Sequence, residues 1–534
     1  MSRRGKFALG AAAGIAGGAA LIGVASLVAR FVGFGRQLVY QGTVGDTALG
    51  TVYTTSNFVP AILFEVVAGG ALAGVVVPLV VAAVDRADRD DVRETAGALV
   101  GWALLVLVPV AAVAAMLAGP VTSYMLQGEG GAQTQLMAER MLRVLVIQIP
   151  LYGVAAVTAG VLQAHRRFLA PAVAPILSSV VVAGTYLVFA ASFTGDRSDL
   201  SSVPRSAELL LSVGTVLGAA ALALTTLVPL HFLGIRAVPR LRFPSGRGRT
   251  AARMAAAGAT MVAAQQIAMF VLIPVVNEQG GEGRIVTFQN TWMVYLLPFA
   301  VLAVPIATST FPALATQASR GEMAQWARAT LSSTRAVVVA AGLGATALVA
   351  AAGPIARFFA IIGGHGTVPA EEMARALVAF APGLFGFCLV YHLNRALLAS
   401  GHVRRVGVAS AAGWLTVVLM AIVLTRLAPQ GWVVAAVGLA HTVGMTVAAV
   451  MLLLAVRPGS ARAGWRPLAR SGLAAVGGAA CGGAVGWVVA GAIDGGGTWA
   501  TVAAGALSAA VGALVFGGVV AVVDRRDLRA MMRR

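Results

Sequence analysis

Two arginines, Arg30 and Arg36, stand six residues apart in SLVARFVGFGRQLVY (residues 26–40), closing an apolar run that is otherwise uncharged. Guanidinium is planar, permanently charged and able to donate bidentately, which is the chemistry that holds a diphosphate. The same residues at the end of a membrane helix also suit snorkelling, in which the stem stays in apolar surroundings and the charge reaches the outer interface. On a helix a spacing of six separates the two by roughly 120°, which suits a cavity wall or a bent helix better than one flat interface. Glu65 is the one acidic residue well inside an apolar run, five residues beyond Pro60. A carboxylate in hydrocarbon is costly unless paired, protonated or facing water. Glu65 therefore reads as a partner of Arg30 or Arg36, as a proton carrier for ion coupling, or as a hydrogen-bonded structural residue.

Amides add a second group of candidates: Asn57, Gln265, Gln266, Gln289, Asn290 and Asn394. Most suit interhelical hydrogen bonds. Asn57 and Gln265 are the two assigned to a substrate cavity, Gln265 because it follows Arg30 by 235 positions and so occupies the matching place in a second half. His392 and His441 fall inside apolar runs and are expected to be packed and neutral. Gly69, Gly70 and Gly74 suit close helix approach or a hinge. Cys388 and Cys481 both lie in apolar runs and read as packing residues, with no ligand cluster for a metal. No paired-histidine zinc motif, Walker-type phosphate loop or nucleophile elbow is present in the sequence. The expectation is a protein that is not an enzyme and needs no cofactor, energised by an ion gradient, the membrane potential or substrate flux.

The elements that must carry these residues are membrane helices. With 59% hydrophobic and 11% charged residues and a mean hydropathy of +0.87, the chain lacks the polar surface of a soluble protein of 534 residues. The net charge of +19 comes from arginines scattered between apolar runs, so nucleic acid is not an expected partner. The start, MSRRGKFALGAAAGIAGGAALIGVASLVA, has a charged first part but too long an apolar run for a signal peptide, and reads as the first membrane helix.

A span needs about 20 mostly apolar residues, and fourteen such runs are expected. They are 7–29, 48–84 (tilted or broken at Pro60), 96–118, 144–163, 170–191, 209–233, 254–276, 291–314, 336–359, 376–399, 406–424, 432–456, 468–493 and 499–523. With the N-terminus inside, 29 of the 39 basic residues fall in inside segments, as the positive-inside rule requires. Both termini are thus expected in the cytoplasm, the protein lying in the cytoplasmic membrane. Arg30 and Arg36 break the rule that most arginines of the chain keep.

VVVPLVVAA, with Pro78, matches STFPALATQ, with Pro312, at an offset of 234. YGVAAVTAGVLQAHRRFLAPAVA matches FGFCLVYHLNRALLASGHVRRVGVA at nearly the same offset. Six spans separate the copies, so the halves keep one orientation, the geometry of an alternating-access transporter with a cavity between two lobes. The expected architecture is an all-α polytopic membrane protein: an N-lobe (1–245), a C-lobe (246–460), each of six helices in parallel pseudo-repeat, and a C-terminal helix pair with a basic tail (461–534).

Several stretches resemble the MurJ/MviN family, the proposed lipid II flippases of the multidrug/oligosaccharidyl-lipid/polysaccharide exporter superfamily. SLVARFVGFGRQLVY resembles that family's first-helix pattern, and SNFVPAILFEVVAGGALAGVVVPLV its second helix. YLLPFAVLAVPIATSTFPALAT resembles its eighth helix, and FGFCLVYHLNRALLASGHVRRVGVA its tenth and eleventh. The resemblance implies carriage of an undecaprenyl-diphosphate-linked peptidoglycan precursor, lipid II, with Arg30 and Arg36 toward the diphosphate and the tail beside the last two helices. It also implies cell-wall synthesis proteins as partners. The chain departs from the pattern at Phe64 and Glu65, where a second-helix arginine is common, at Gln37, where an acidic residue often stands, and at Met293. These departures keep two other readings open: an exporter of another undecaprenyl-linked glycan or amphiphile, and a paralogue that scaffolds cell-wall proteins without transporting.

Overall fold

The computed structural model describes residues 28–523 apart from 73–74, 85, 87, 129–130, 236–237, 244–247, 365, 430, 457–461 and 494–495. Most of the first expected span, Gly74 and the basic tail lie outside the described residues. Among those described, 11 helices are long and apolar enough to cross a membrane, or 12 if the bent pair Ala370–Phe380 and Gly383–Ala399 counts as one span. The protein is a multi-pass membrane protein built of helices. Two further helices are described: Gly248–Gly280, at the expected seventh span, and 28–43, which continues from the end of the expected first span.

By their internal contacts the residues divide into two compact units, the first ending at Phe270 and the second beginning at Val271. The division falls inside the helix Gly248–Gly280, so Gln265 groups with the first unit.

The first unit contains α1 (28–43), α2 (Ala48–Phe64), a π-helical segment (Glu65–Leu72), α3 (Val76–Val84), α4 (Arg89–Met116), α5 (Ala118–Met125), α6 (Ala132–Leu145), α7 (Gln148–Ala164), α8 (Leu169–Ser192), α9 (Arg205–Phe232) and the first part of α10 (Gly248–Gly280). Helix starts follow local chemistry. The Thr47 hydroxyl accepts from the Gly50 amide at the start of α2, and the Asp88 carboxylate accepts from the Asp91 amide at the start of α4. The core is formed by Val75, Val80, Val100, Leu142, Val157 and Leu162 from α3, α4, α6 and α7 with the turn before α3, all buried. Away from it, Glu208 at the start of α9 is buried between Arg140 and Arg205, an arrangement that ties α6 to α9.

Two sequence expectations change here. α1 runs on past the apolar span to 43, and both arginines sit on regular helix where a bend was expected. α2 also passes straight through Pro60, and the α geometry gives way only at Glu65. Pro60 lies far enough along α2 for the preceding turn to absorb its missing donor. The irregularity is stored in the following small-residue stretch EVVAGGAL, where helix propensity is weak.

The second unit comprises the rest of α10, α11 (Arg284–Pro298), a second π-helical segment (Phe299–Ala303), α12 (Val304–Ser319), α13 (Met323–Ile362), α14 (Ala370–Phe380), α15 (Gly383–Ala399), α16 (Val403–Leu427), α17 (Val433–Ala455), α18 (Arg462–Ala492) and α19 (Thr498–Val523). The 40-residue α13 is its spine, and the terminal pair α18 and α19 packs on it. Close approach there depends on glycine: a Cβ on Gly482 would lie 2.4 Å from the Gly512 carbonyl oxygen. Arg284 and Glu372 join α11 to α14 through two hydrogen bonds, Nε to Oε2 at 3.2 Å and a terminal nitrogen to Oε1 at 2.9 Å. Cys388 is buried as expected, whereas Cys481 is exposed on α18 and is no packing residue.

The two π-helical segments begin at Glu65 and Phe299, 234 positions apart, which is also the offset between Pro78 and Pro312. The repeat is thus expressed as a backbone irregularity at the same place in each half.

Candidate anion site of the first helical unit

Arg36 lies half-buried on α1, whose last turns are held by polar contacts from elsewhere in the unit. Arg197, itself buried at 7% exposure, donates through Nε to the Thr43 carbonyl at 2.6 Å, and its own carbonyl accepts from the Leu49 amide at 3.0 Å. This closes the C-terminus of α1 and the N-terminus of α2 with one residue, and the charge complements the helix C-terminus. The guanidinium also lies against the rings of Phe189 and Phe193. Arg197→Met, which removes that buried donor, is expected to cost about 2–3 kcal/mol of stability. A fall in the thermal unfolding temperature in detergent, with protease cleavage newly appearing between 40 and 48, checks it.

Above this anchor stands a group of tyrosines. Tyr53 on α2 has its hydroxyl 2.8 Å from that of Tyr186 on α8 and 2.6 Å from Thr215 Oγ1 on α9. Tyr40 on α1 donates to the Gly50 carbonyl at 3.2 Å and meets Thr54 Oγ1 at 2.8 Å. The rings of Tyr40, Tyr53 and Tyr186 lie 5.3–6.1 Å apart. Tyr152 on α7 donates to Gln148 Oε1 at 2.7 Å, and Gln148 Nε2 donates to Asn57 Oδ1 at 3.1 Å and to the Leu145 carbonyl at 3.0 Å. The Tyr152 ring also packs on Phe64, with centroids 4.5 Å apart. Arg36 lies within electrostatic range of the Tyr53, Tyr152 and Tyr186 hydroxyls. Four of the chain's seven tyrosines therefore share this region.

Among the described residues Arg36 has no carboxylate partner, and neither has Arg30, which is exposed one and two-thirds turns earlier on α1. Glu65 does not pair with either of them. It is exposed, its carboxylate lying beside Gly69, where a Cβ would stand 3.2 Å from Oε2. The π-helical turn aims the carboxylate along its own helix, and that direction is invisible in residue spacing. Asn57 is brought to the tyrosine region through Gln148, while Gln265 lies half-buried on α10 with no described contact to it.

What sequence reasoning missed was the hydroxyl set: Tyr40, Tyr53, Tyr152, Tyr186, Thr215 and the amide Gln148. The available signal was aromatic hydroxyls placed inside apolar runs, where each needs a partner. Such a set can orient a guanidinium by its dipoles without neutralising it, which leaves the charge for an incoming anion. His392 and His441, in the second unit, are buried, and each has one ring nitrogen near a hydroxyl: His392 Nε2 lies 2.9 Å from Ser333 Oγ, and His441 Nε2 lies 3.1 Å from the Tyr295 hydroxyl.

A multi-pass helical frame of two units, with this half-buried cation on its first described helix, is the fold of a class of membrane transporters, as the following likenesses show. Solved structures of the same fold include one described as lipid II flippase MurJ in an inward closed conformation. It matches with a TM-score of 0.73 at 15% identity, covering 95% of this chain and 99% of that one. An inward-facing multidrug resistance MATE family transporter of the MOP superfamily matches with a TM-score of 0.66 at 15% identity over 83% of this chain and 95% of that one. At the level of sequence, a family model described as lipid II flippase MurJ matches residues 41–502. The chain belongs to that family, one of transporters and not of enzymes. A probable lipid II flippase MurJ of Synechocystis sp. is 26% identical over 229 residues, 42% of this chain and 41% of that protein's length.

Proposed function

We propose that this protein is a lipid II flippase, moving the undecaprenyl-diphosphate-linked peptidoglycan precursor across the cytoplasmic membrane by alternating access. The observation that carries the reading is Arg36: a half-buried guanidinium on α1 with no described carboxylate partner, within electrostatic range of three tyrosine hydroxyls. Burying an uncompensated cation is expensive, and an arrangement that keeps it is explained by an anion that arrives in the working cycle. A diphosphate offers two anionic groups for a bidentate donor and for the hydroxyls around it. Arg30, one and two-thirds turns away toward the exposed end of α1, supplies a second cation on the same path. The MurJ family membership supports the same substrate class. Glu65, beside the first π-helical segment, is the residue assigned to ion coupling, and Asn57 and Gln265 to headgroup contacts. Both termini are placed in the cytoplasm, in keeping with the arginine distribution.

The departures at Phe64, Glu65 and Met293 favour the second reading, export of a different undecaprenyl-linked glycan. One experiment separates the two. The unmodified protein is expressed in cells depleted of their own lipid II flippase, and growth and labelled-precursor translocation are followed. Restored growth is expected. Absence of rescue with normal amounts of protein in the membrane would assign the chain to another substrate or to a scaffold.

A further inference from the structure

The first unit holds a cavity of about 940 Å³ that is separate from the tyrosine region, at the top of the ~300–1,000 Å³ range of ligand sites. Its floor and walls are apolar: Val67 and Leu72 of the π-helical segment, Leu99, Ala103 and Leu107 of α4, and Ala252 of α10. Its rim is not. Arg242, Arg249 and Trp102 stand there, with no ion pair described for either arginine.

The rim is built by glycine. The segment after α9 lies directly on the backbone of α4: the Arg240 amide donates to the Gly97 carbonyl at 3.0 Å, and the Trp102 indole donates to the Leu241 carbonyl at 2.9 Å. A Cβ on Gly97 would stand 2.4 Å from the Val238 carbonyl oxygen, and one on Gly101 would stand 2.1 Å from that of Arg240. Two glycines four residues apart thus make a trough for the incoming chain, and the trough fixes where Arg242 and Phe243 project. Arg240 is paired with Glu94 and holds the segment down, which leaves Arg242 and Arg249 as the unpaired charges.

The placement of Arg249 is electrostatically unusual. It sits in the first turn of α10, with no acidic residue in that turn, so a cation faces the positive end of the helix dipole. An anion between Arg242 and Arg249 removes that penalty and gains two charge-assisted contacts. An apolar cavity running from such an anion site to the π-helical segment matches an amphiphile with a phosphate head and hydrocarbon tail.

We propose that this cavity is a site for an acidic glycerophospholipid, its phosphate between Arg242 and Arg249, its glycerol region beside the Trp102 indole, and an acyl chain reaching Val67 and Leu72. The arginine distribution assigns this rim to the cytoplasmic side, where acidic lipids attract basic segments. Because the acyl chain ends against the first π-helical segment, the lipid acts on the one irregular stretch of the second span. Occupancy is thereby coupled to how freely that stretch rearranges. The site stands independently of which substrate the protein carries.

The test uses the full chain in detergent micelles, with retention of added phosphatidylglycerol and phosphatidylcholine read by native mass spectrometry. The unmodified protein is expected to retain phosphatidylglycerol at least about tenfold more tightly, the contribution of one or two charge-assisted contacts. The Arg242→Gln, Arg249→Gln variant is expected to lose that preference, and the Arg242→Lys, Arg249→Lys variant to keep most of it. Ala103→Trp fills the cavity and is expected to abolish retention with both arginines in place; should it not fold, Ala252→Trp makes the same test from the opposite wall. Equal retention of the two lipids by the unmodified protein, or a preference unchanged in the Gln variant, would overturn the proposal. So would undecaprenyl phosphate displacing phosphatidylglycerol from the same arginines, since the cavity would then be a place for the substrate's tail.

Discussion

Arg36→Ala is expected to abolish transport while Arg30→Ala reduces it only several-fold, so the two first-helix arginines separate in function despite their shared motif. Arg36 is half-buried and within electrostatic range of the hydroxyls of Tyr53, Tyr152 and Tyr186, and Arg30 is exposed. Truncating one member of a desolvated, hydrogen-bonded charge pair costs roughly 2–5 kcal/mol, which corresponds to about 30-fold to several-thousand-fold in affinity. An exposed ion pair contributes about 0.2–1 kcal/mol, no more than roughly fivefold. Arg36→Lys keeps the charge but not the bidentate fork, and is expected to fall between the two. The tyrosine hydroxyls sharpen the test. Tyr152→Phe leaves the Phe64 contact intact but removes the donor to Gln148, and is expected to weaken binding about fivefold, through the orientation of its surroundings. Growth of flippase-depleted cells and binding of a diphosphate lipid to the purified variants, at matched membrane levels, measure these effects. Wild-type growth of the Arg36→Ala strain, or equal losses for Arg30→Ala and Arg36→Ala, would remove Arg36 from the diphosphate role.

Spans and loops were readable from sequence because the signals are local. An apolar run reports its own partition into hydrocarbon, whatever lies elsewhere in the chain. The repeat was readable for a related reason: Pro78 and Pro312 mark positions at which a helix must adjust its hydrogen bonding, and the π-helical segments that precede them begin at the same offset. The tyrosine region was not readable, since its hydrogen bonds join residues as far apart as 162 positions and no periodicity connects them. Arg197 escaped notice because an outside arginine looks like any loop charge until its Nε is found on the Thr43 carbonyl. Glu65 was legible only in part. Spacing and charge left open a partner of the arginines, a proton carrier or a structural residue, and the π-helical turn, which lays its carboxylate along Gly69, removes only the first. The trough at Gly97 and Gly101 belongs with these: two glycines in an alanine-rich helix carry no sign that another segment of chain will lie on them.

Removing one residue from the first π-helical segment is expected to leave a folded protein that no longer transports. A π-helical stretch is in effect an α-helix with an inserted residue, so deleting Ala68 lets Glu65–Leu72 revert to α geometry with the flanking α2 and α3 kept near their present register. The segment is poised to rearrange because it is loosely surrounded. A cavity of about 260 Å³ is lined by Phe64, Ala68, Leu72, Gly160 and Gln163, and the larger cavity also meets the segment, at Val67 and Leu72. Close-packed interiors leave few such voids, and here two adjoin one irregular stretch. The second segment differs in kind. Phe299 packs on Phe387 and Tyr391 at 4.8 and 5.0 Å between centroids, and a Cβ on Gly344 would stand 2.7 Å from Pro298. Deleting Val301 is therefore expected to destabilise the second unit outright, lowering its unfolding temperature, whereas deleting Ala68 changes unfolding little and transport at least about tenfold, as for hinge positions whose role is motion. Precursor translocation, thermal unfolding in detergent and the reactivity of a single cysteine introduced at Ala156 distinguish the cases. If the Ala68 deletion supports growth at the wild-type rate, the π-helical turn is a tolerated irregularity, and the repeat's shared offset is a relic of duplication with no part in the transport cycle.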